Sequence, residues 1–160
     1  MKNNKLTLTL LTLVALSIQS CKTIDIKNEE AQIREFWAKT CDYLCNGDWE
    51  NYSKCWDHSS KSQIIHPEQN EWLSGWEKIR EKYEPLLKSG LSCSLPKNEL
   101  TLNISENGKM AWGTVDIIIQ FNDSTRTQVH AWETVVFEKN KEEQWKMVLG
   151  MASIPPDKKE

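Results

Sequence analysis

Met110-Ala-Trp-Gly-Thr-Val-Asp-Ile-Ile-Ile-Gln-Phe121 alternates along its whole length. Ala111, Gly113, Val115, Ile117, Ile119 and Phe121 share one side, which carries no polar side chain. Trp112, Thr114, Asp116, Ile118 and Gln120 share the other. A period of two with one wholly apolar face is the pattern of a sheet strand buried on one side. Leu100 to Ile104, Thr127 to Glu138 and Trp145 to Ser153 read as further strands, with turn signals at Asn107-Gly108 and Asn122-Asp-Ser-Thr125. A four-residue turn at 122–125 pairs Phe121 with Arg126 and sets Asp116 opposite Ala131. A slip of one residue sets His130 opposite Asp116 instead. Both registers stay open.

Upstream of these strands the period is helical. Asn28 can cap a first helix with Glu29 and Glu30 in its first turn, where carboxylates suit the helix dipole. Ile33, Phe36, Trp37, Cys41 and Leu44 make its apolar stripe, and Asn46-Gly47 stops it. Asp48 can cap a second, shorter helix carrying Trp49, Tyr52, Cys55 and Trp56. Ser62 to His66 reads as a short strand ended by Pro67. Ser74 to Glu77 fits a capping box for a third helix with Trp76, Ile79 and Tyr83 on one side, and Pro85 should kink or end it. Three helices followed by a meander of long strands give an α+β domain. The helices must cover one face of a curved antiparallel sheet, forming a cone around a cavity suited to a small molecule.

The N-terminus belongs to a different category. Lys2 and Lys5 precede an apolar run from Leu6 to Ile18, the basic and hydrophobic regions of an export signal and too short for a membrane-spanning helix. Ile18-Gln-Ser-Cys21 follows and resembles a bacterial lipobox, with Cys21 as the lipid acceptor. Residues 1–20 are therefore expected as signal peptide, 21–28 as tether, 29–154 as the domain and 155–160 as a disordered tail. Lipid on Cys21 would hold the domain at a membrane surface in the cell envelope; plain secretion or a periplasmic location is the alternative.

The 160 residues are 39% hydrophobic and 27% charged, with a formal charge of -3, so a nucleic-acid partner is not expected. Cleavage before Cys21 removes two lysines and no acid, leaving the chain more acidic still. Beyond Cys21 there are Cys41, Cys45, Cys55 and Cys93. An oxidising compartment allows three pairings among them, and buried thiols remain an equal alternative. No spacing matches a zinc site, the three histidines are scattered, and neither a phosphate loop nor a nucleophile elbow occurs. No metal or cofactor is expected.

The order of elements resembles the SnoaL-like branch of the nuclear transport factor 2-like superfamily. The resemblance runs from about Ala31 to Ser153. It rests on Asn46-Gly-Asp-Trp49 before the second helix, Gly75-Trp-Glu-Lys-Ile79 at the start of the third, Ala111-Trp-Gly-Thr114 in the first long strand, and Glu133-Thr-Val-Val-Phe-Glu-Lys139 with Gln144-Trp-Lys-Met-Val148 in the closing hairpin. Many relatives end that hairpin with His-x-His-x-Ser, where this chain has Leu149-Gly-Met-Ala-Ser153, so chemistry resting on those histidines is not carried over. The superfamily includes isomerases, dehydratases, cyclases and epoxide hydrolases as well as binding and assembly domains, and the fold alone does not choose among them.

Two functions follow as expectations. The first is a domain that binds a small apolar molecule or a protein partner without catalysis, with Trp37, His66, Leu149 and Met151 toward the ligand. The second is a cofactor-free lyase or isomerase using Asp116 with His130 or His66 as acid and base. Asp116 is the more suggestive acid because it interrupts an apolar run, and its position on either face of the sheet is left open. The resemblance also implies an isologous homodimer through the exposed sheet face.

Overall fold

The computed structural model describes residues 24–66, 69–90, 92–94, 100–121 and 128–154. The expected signal peptide, Cys21, Pro67, the 122–125 turn and the 155–160 tail lie outside these residues. Helix α1 spans Ile26–Cys45 and begins earlier than expected. Asp25, not Asn28, is its cap: the Asp25 carboxylate accepts from the Asn28 amide at 3.2 Å. Both residues have the short polar side chain a cap needs. Capping from Asp25 adds almost a turn of helix and takes residues 26–28 out of the expected tether. Gly47, at φ 66, lets the chain turn directly after Asn46. Helix α2, Trp49–Lys54, is capped as expected by Asp48, whose carboxylate accepts from Asn51 N at 3.1 Å.

Strand β1, Gln63–His66, pairs antiparallel with β2, Glu71–Ser74, a strand the sequence pattern did not single out. Four residues are too few to show a period, and pairing with β1 is what makes them a strand. Ser74 therefore ends β2 and is not a cap. Helix α3, Trp76–Lys88, starts from Gly75 at φ 92 with no side-chain capping bond. It also runs past Pro85. The missing proline N–H forfeits one helical bond within a turn of the end, and Leu87, 1% exposed, secures that last turn in the core.

The sheet order is β2-β1-β7-β6-β5-β3, with β3 at Cys93–Ser94, β5 at Met110–Phe121, β6 at Gln128–Lys139 and β7 at Trp145–Ser153. Strand β4, Thr101–Ile104, pairs with the opposite end of β5. The sheet is mixed, not purely antiparallel, because β1 lies parallel to β7. A bulge between Val136 and Phe137 bends the β6–β7 pair.

The apolar side of β5 packs inward, where Ala111, Gly113, Val115 and Ile117 are buried. With Ile33 from α1, Ile79 from α3, and Val135 and Phe137 from β6, they form the centre of the core. Phe36 and Trp37 meet Phe137 edge-on at 6.0 and 6.3 Å. The start of α1 is tied to the sheet by polar contacts: Glu29 pairs with Lys139 at 2.5 Å and accepts from Trp145 Nε1 at 3.0 Å. Cys45 at the end of α1 is joined by a disulfide to Cys93 on β3, while Cys41 and Cys55 are free thiols.

Candidate functional site

Between the three helices and the inner face of the sheet is a cavity of about 140 Å³. Helix α1 supplies Trp37, Thr40, Cys41 and Leu44 to its wall; Tyr52 and Trp56 come from α2 and the residues just after it, and Tyr83 from α3. The sheet adds Ile64 and His66 from β1, Ile117 and Ile119 from β5, Glu133 from β6, and Met147, Gly150 and Ala152 from β7. Most of this surface is hydrocarbon or aromatic ring. Polar groups are few, and one is charged: the Glu133 carboxyl.

Glu133 sits between Val115 and Ala152 in the ladder, on the same side as Ala131, Val135 and Phe137. Among the described residues no hydrogen bond or ion pair reaches its carboxylate. Burial alone raises its pKa from 4.5 to about 7, because the charged form loses its hydration without a compensating partner. Tyr83 is held protonated by burial and then by the charges of Glu133 and Glu71. The Cys41 thiol is raised by burial first and by Glu133 next. The Tyr52 hydroxyl is likewise pushed well up, with burial the main cause and Glu133 a smaller one. The carboxyl thus faces residues from all three helices. On its flank, His66 Nε2 and the Tyr83 hydroxyl share a hydrogen bond of 3.0 Å.

The other residues singled out from the sequence divide by sheet face. Trp37 and His66 line the cavity. Leu149 and Met151 alternate with the inward Gly150 and Ala152, and the ladder sets them beside Val136 and Thr134 on the outer face. Asp116 and His130 are also on the outer face, both largely exposed. The register is neither of the two considered: Asp116 lies opposite Trp132 and His130 opposite Ile118. The two side chains meet diagonally, His130 Nε2 lying 2.5 Å from Asp116 Oδ1. This Asp–His pair forms outside the cone, where solvent replaces the apolar walls that acid–base chemistry would use. His58 is exposed and stacks on Trp76 at 4.0 Å. Among the described residues no group of three His, Cys, Asp or Glu side chains could hold a metal ion.

Glu133 is the residue that the sequence pattern could have yielded and did not. In Ala131-Trp-Glu-Thr-Val-Val-Phe137 it falls on the same parity as Ala131, Val135 and Phe137. A charged residue in register with the buried positions of its strand is the signal.

The SnoaL-like domain model matches residues 33–157. The chain belongs to the SnoaL-like family. Its fold is also that of solved structures of low identity. A nuclear transport factor 2-like superfamily protein from Salmonella enterica is 18% identical, with TM-score 0.70 over 83% of this chain and 95% of that one. A protein of Parabacteroides distasonis provisionally named a ketosteroid isomerase is 15% identical, with TM-score 0.60 over 78% and 86%. The association domain of Caenorhabditis elegans CaMKII is 17% identical, with TM-score 0.63 over 79% and 96%. No curated protein matches the sequence significantly. In this SnoaL-like domain Leu149 and Met151 turn outward on β7, and the carboxyl in the cavity wall, Glu133, comes from the neighbouring strand β6.

Proposed function

We propose that this SnoaL-like domain is a cofactor-free proton-transfer enzyme, an isomerase or dehydratase acting on a small, mostly apolar carbonyl compound. The single observation that carries this reading is Glu133, a carboxyl with no partner among the described residues, in a mostly apolar cavity with its pKa near 7. A carboxylate poised there is ionised often enough at neutral pH to act, and it is a stronger base than one in water. It would take a proton from the carbon next to the substrate carbonyl, leaving an enolate. Return of a proton from the Glu133 carboxyl, which can exchange with solvent while it is held there, to another carbon completes an isomerisation. Departure of a β-hydroxyl, protonated as it leaves as water, completes a dehydration. The His66–Tyr83 pair offers a second polar contact for the substrate.

The test is solvent exchange. Cyclohexenone incubated with the protein in deuterium oxide should lose its exchangeable C–H signals, and Glu133→Gln should abolish the loss. Exchange should rise with pH up to about 7 and level off above it, since the base must be ionised. Cyclic carbonyl probes that bind without any exchange would leave the cavity a binding site only, the reading in which no catalysis occurs.

We further propose that the chain is exported and held at a membrane by lipid on Cys21, and that two copies pair through the outer sheet face. The Cys45–Cys93 disulfide, which suits an oxidising compartment, supports export. Exposed Met110, Trp112 and Trp132 on one face of β5 and β6 support pairing. Native mass spectrometry of protein taken from its own membranes tests both: a lipid mass on a chain beginning at Cys21, and twice the chain mass.

A further inference from the structure

The charge of the cavity wall is one-sided. It includes the Glu133 carboxyl and no lysine or arginine. His66, the basic side chain in the wall, is engaged at Nε2 by the Tyr83 hydroxyl at 3.0 Å. Enclosed acids are ordinarily paired, because an ion taken out of water without a partner is costly. Glu133 has no such partner among the described residues, and no neighbouring charge offsets its burial. Nor are its oxygens sealed in. Among the described residues, the enclosed side-chain polar atoms without a hydrogen bond are Trp56 Nε1 and Asp57 Oδ1. The Glu133 oxygens make no hydrogen bond either and are not among those enclosed atoms, so they border open space, and Glu133 belongs to the cavity wall. Its charge is felt by Cys41 on α1, Tyr52 on α2 and Tyr83 on α3, which sets the carboxyl where the three helices converge.

We infer that the cavity is also a site for a small organic cation, the ammonium form of a ring-sized amine, its charge against the Glu133 carboxylate and its hydrocarbon among Trp37, Tyr52, Trp56 and Tyr83. The inference goes beyond the proposed catalysis and does not require it. An ammonium seated there would occupy the base, so it would block proton transfer and not undergo it. Charge makes the first selection. An ammonium N–H donating to the carboxylate forms a charge-assisted bond and supplies the missing partner, whereas an anion meets repulsion with nothing to offset it. The wall makes the second, since aromatic π electrons attract a cation that a purely aliphatic wall would not. Size makes the third: about 140 Å³ is close to the cavity volume that admits a single aromatic ring. A metal ion does not fit the same role, because among the described residues no three His, Cys, Asp or Glu side chains come together to hold one.

The experiment titrates cyclohexylammonium and cyclohexanol, nearly equal in size and both hydrogen-bond donors, into the full chain and its Glu133→Gln variant. At about pH 8, where the carboxyl is ionised, the ammonium should bind about tenfold more tightly than the alcohol, the order of effect of a hydrogen bond to a charged group. Glu133→Gln should bring the two within about twofold. At about pH 5.5 the folded wild type holds the Glu133 proton, so its preference should also fall to within about twofold. Cys41, Tyr52 and Tyr83 stay protonated at both pH values. His66 is present in both chains, so any pH dependence that it brings persists in Glu133→Gln and is subtracted. Equal affinities at about pH 8, a preference that Glu133→Gln leaves intact, one that does not change with pH, or failure of both probes to bind would overturn the cation site. If Glu133→Gln does not fold, the wild-type ratios at the two pH values still decide. Deuterium exchange into cyclohexenone that is absent while the ammonium preference is present would overturn the proposed catalysis alone; exchange without the preference would overturn the cation site alone.

Discussion

Replacing Glu133 by Gln should stabilise the protein at alkaline pH and do little at acidic pH. Gln has nearly the shape of a protonated Glu, so below about pH 4, where folded and unfolded chains both hold the proton, the two proteins carry the same neutral group. As pH rises, the unfolded chain ionises Glu133 near 4.5, while the folded chain keeps its proton until about 7. In that window the folded state binds more protons than the unfolded state, so wild-type stability falls with pH, by at most about 1.4 kcal/mol per pH unit. Above 7 both states are ionised and the full cost is present. The gap between 4.5 and about 7 corresponds to up to about 3 kcal/mol. Glu133 keeps some access to the cavity, so the measured cost should fall at or below that figure. Cys41, Tyr52, His66 and Tyr83 also face the cavity, but both chains carry them and their contribution cancels in the difference. The assay is urea unfolding of both chains at intervals from about pH 3.5, below the unfolded carboxyl's pKa, to about pH 8.5, read as the difference in unfolding free energy. The curves should start together and diverge, with Gln the more stable. A difference that stays constant within about 0.5 kcal/mol would refute an enclosed, unpartnered carboxyl, and with it the proposed base.

Replacing Cys45 and Cys93 together by Ala opens a link across 48 residues of chain and should cost about 4 kcal/mol, seen as a lower urea midpoint; a reductant should produce the same loss in the wild type. Gly113→Ala should destabilise by about 1–3 kcal/mol in the same assay, because its Cβ would stand 2.7 Å from Leu100 Cδ1 and 3.1 Å from the Thr101 carbonyl. Asp116→Asn should change stability by less than about 0.5 kcal/mol and leave deuterium exchange into cyclohexenone intact, since the pair it breaks is solvent-exposed.

Much of the architecture was legible in the residues. The alternation in β5 named its buried face correctly, from Ala111 to Ile117, because a strand buried on one side forces its apolar residues into one parity. The Asp48 cap and the Asn46-Gly47 stop are equally local, and each was read from a few neighbouring positions. The errors fall where one local signal competed with another or with a distant partner. Asp25 won the cap from Asn28, and β1 drew Ser74 into a strand before it could cap α3.

The sequence by itself determined the α+β order, the family and the inward face of the long strands, because periodicity and turn chemistry act over a few residues. Only the tertiary structure decided the chemistry of the cavity. Asp116 and Glu133 are both acids interrupting apolar strands, and their roles differ by face: one meets His130 in solvent, the other has a raised pKa inside the cone. The same holds for Leu149 and Met151, which the ladder turns outward while Gly150 and Ala152 turn in. A carboxyl's pKa depends on which segments, distant in sequence, close around it, and no local pattern encodes that closure.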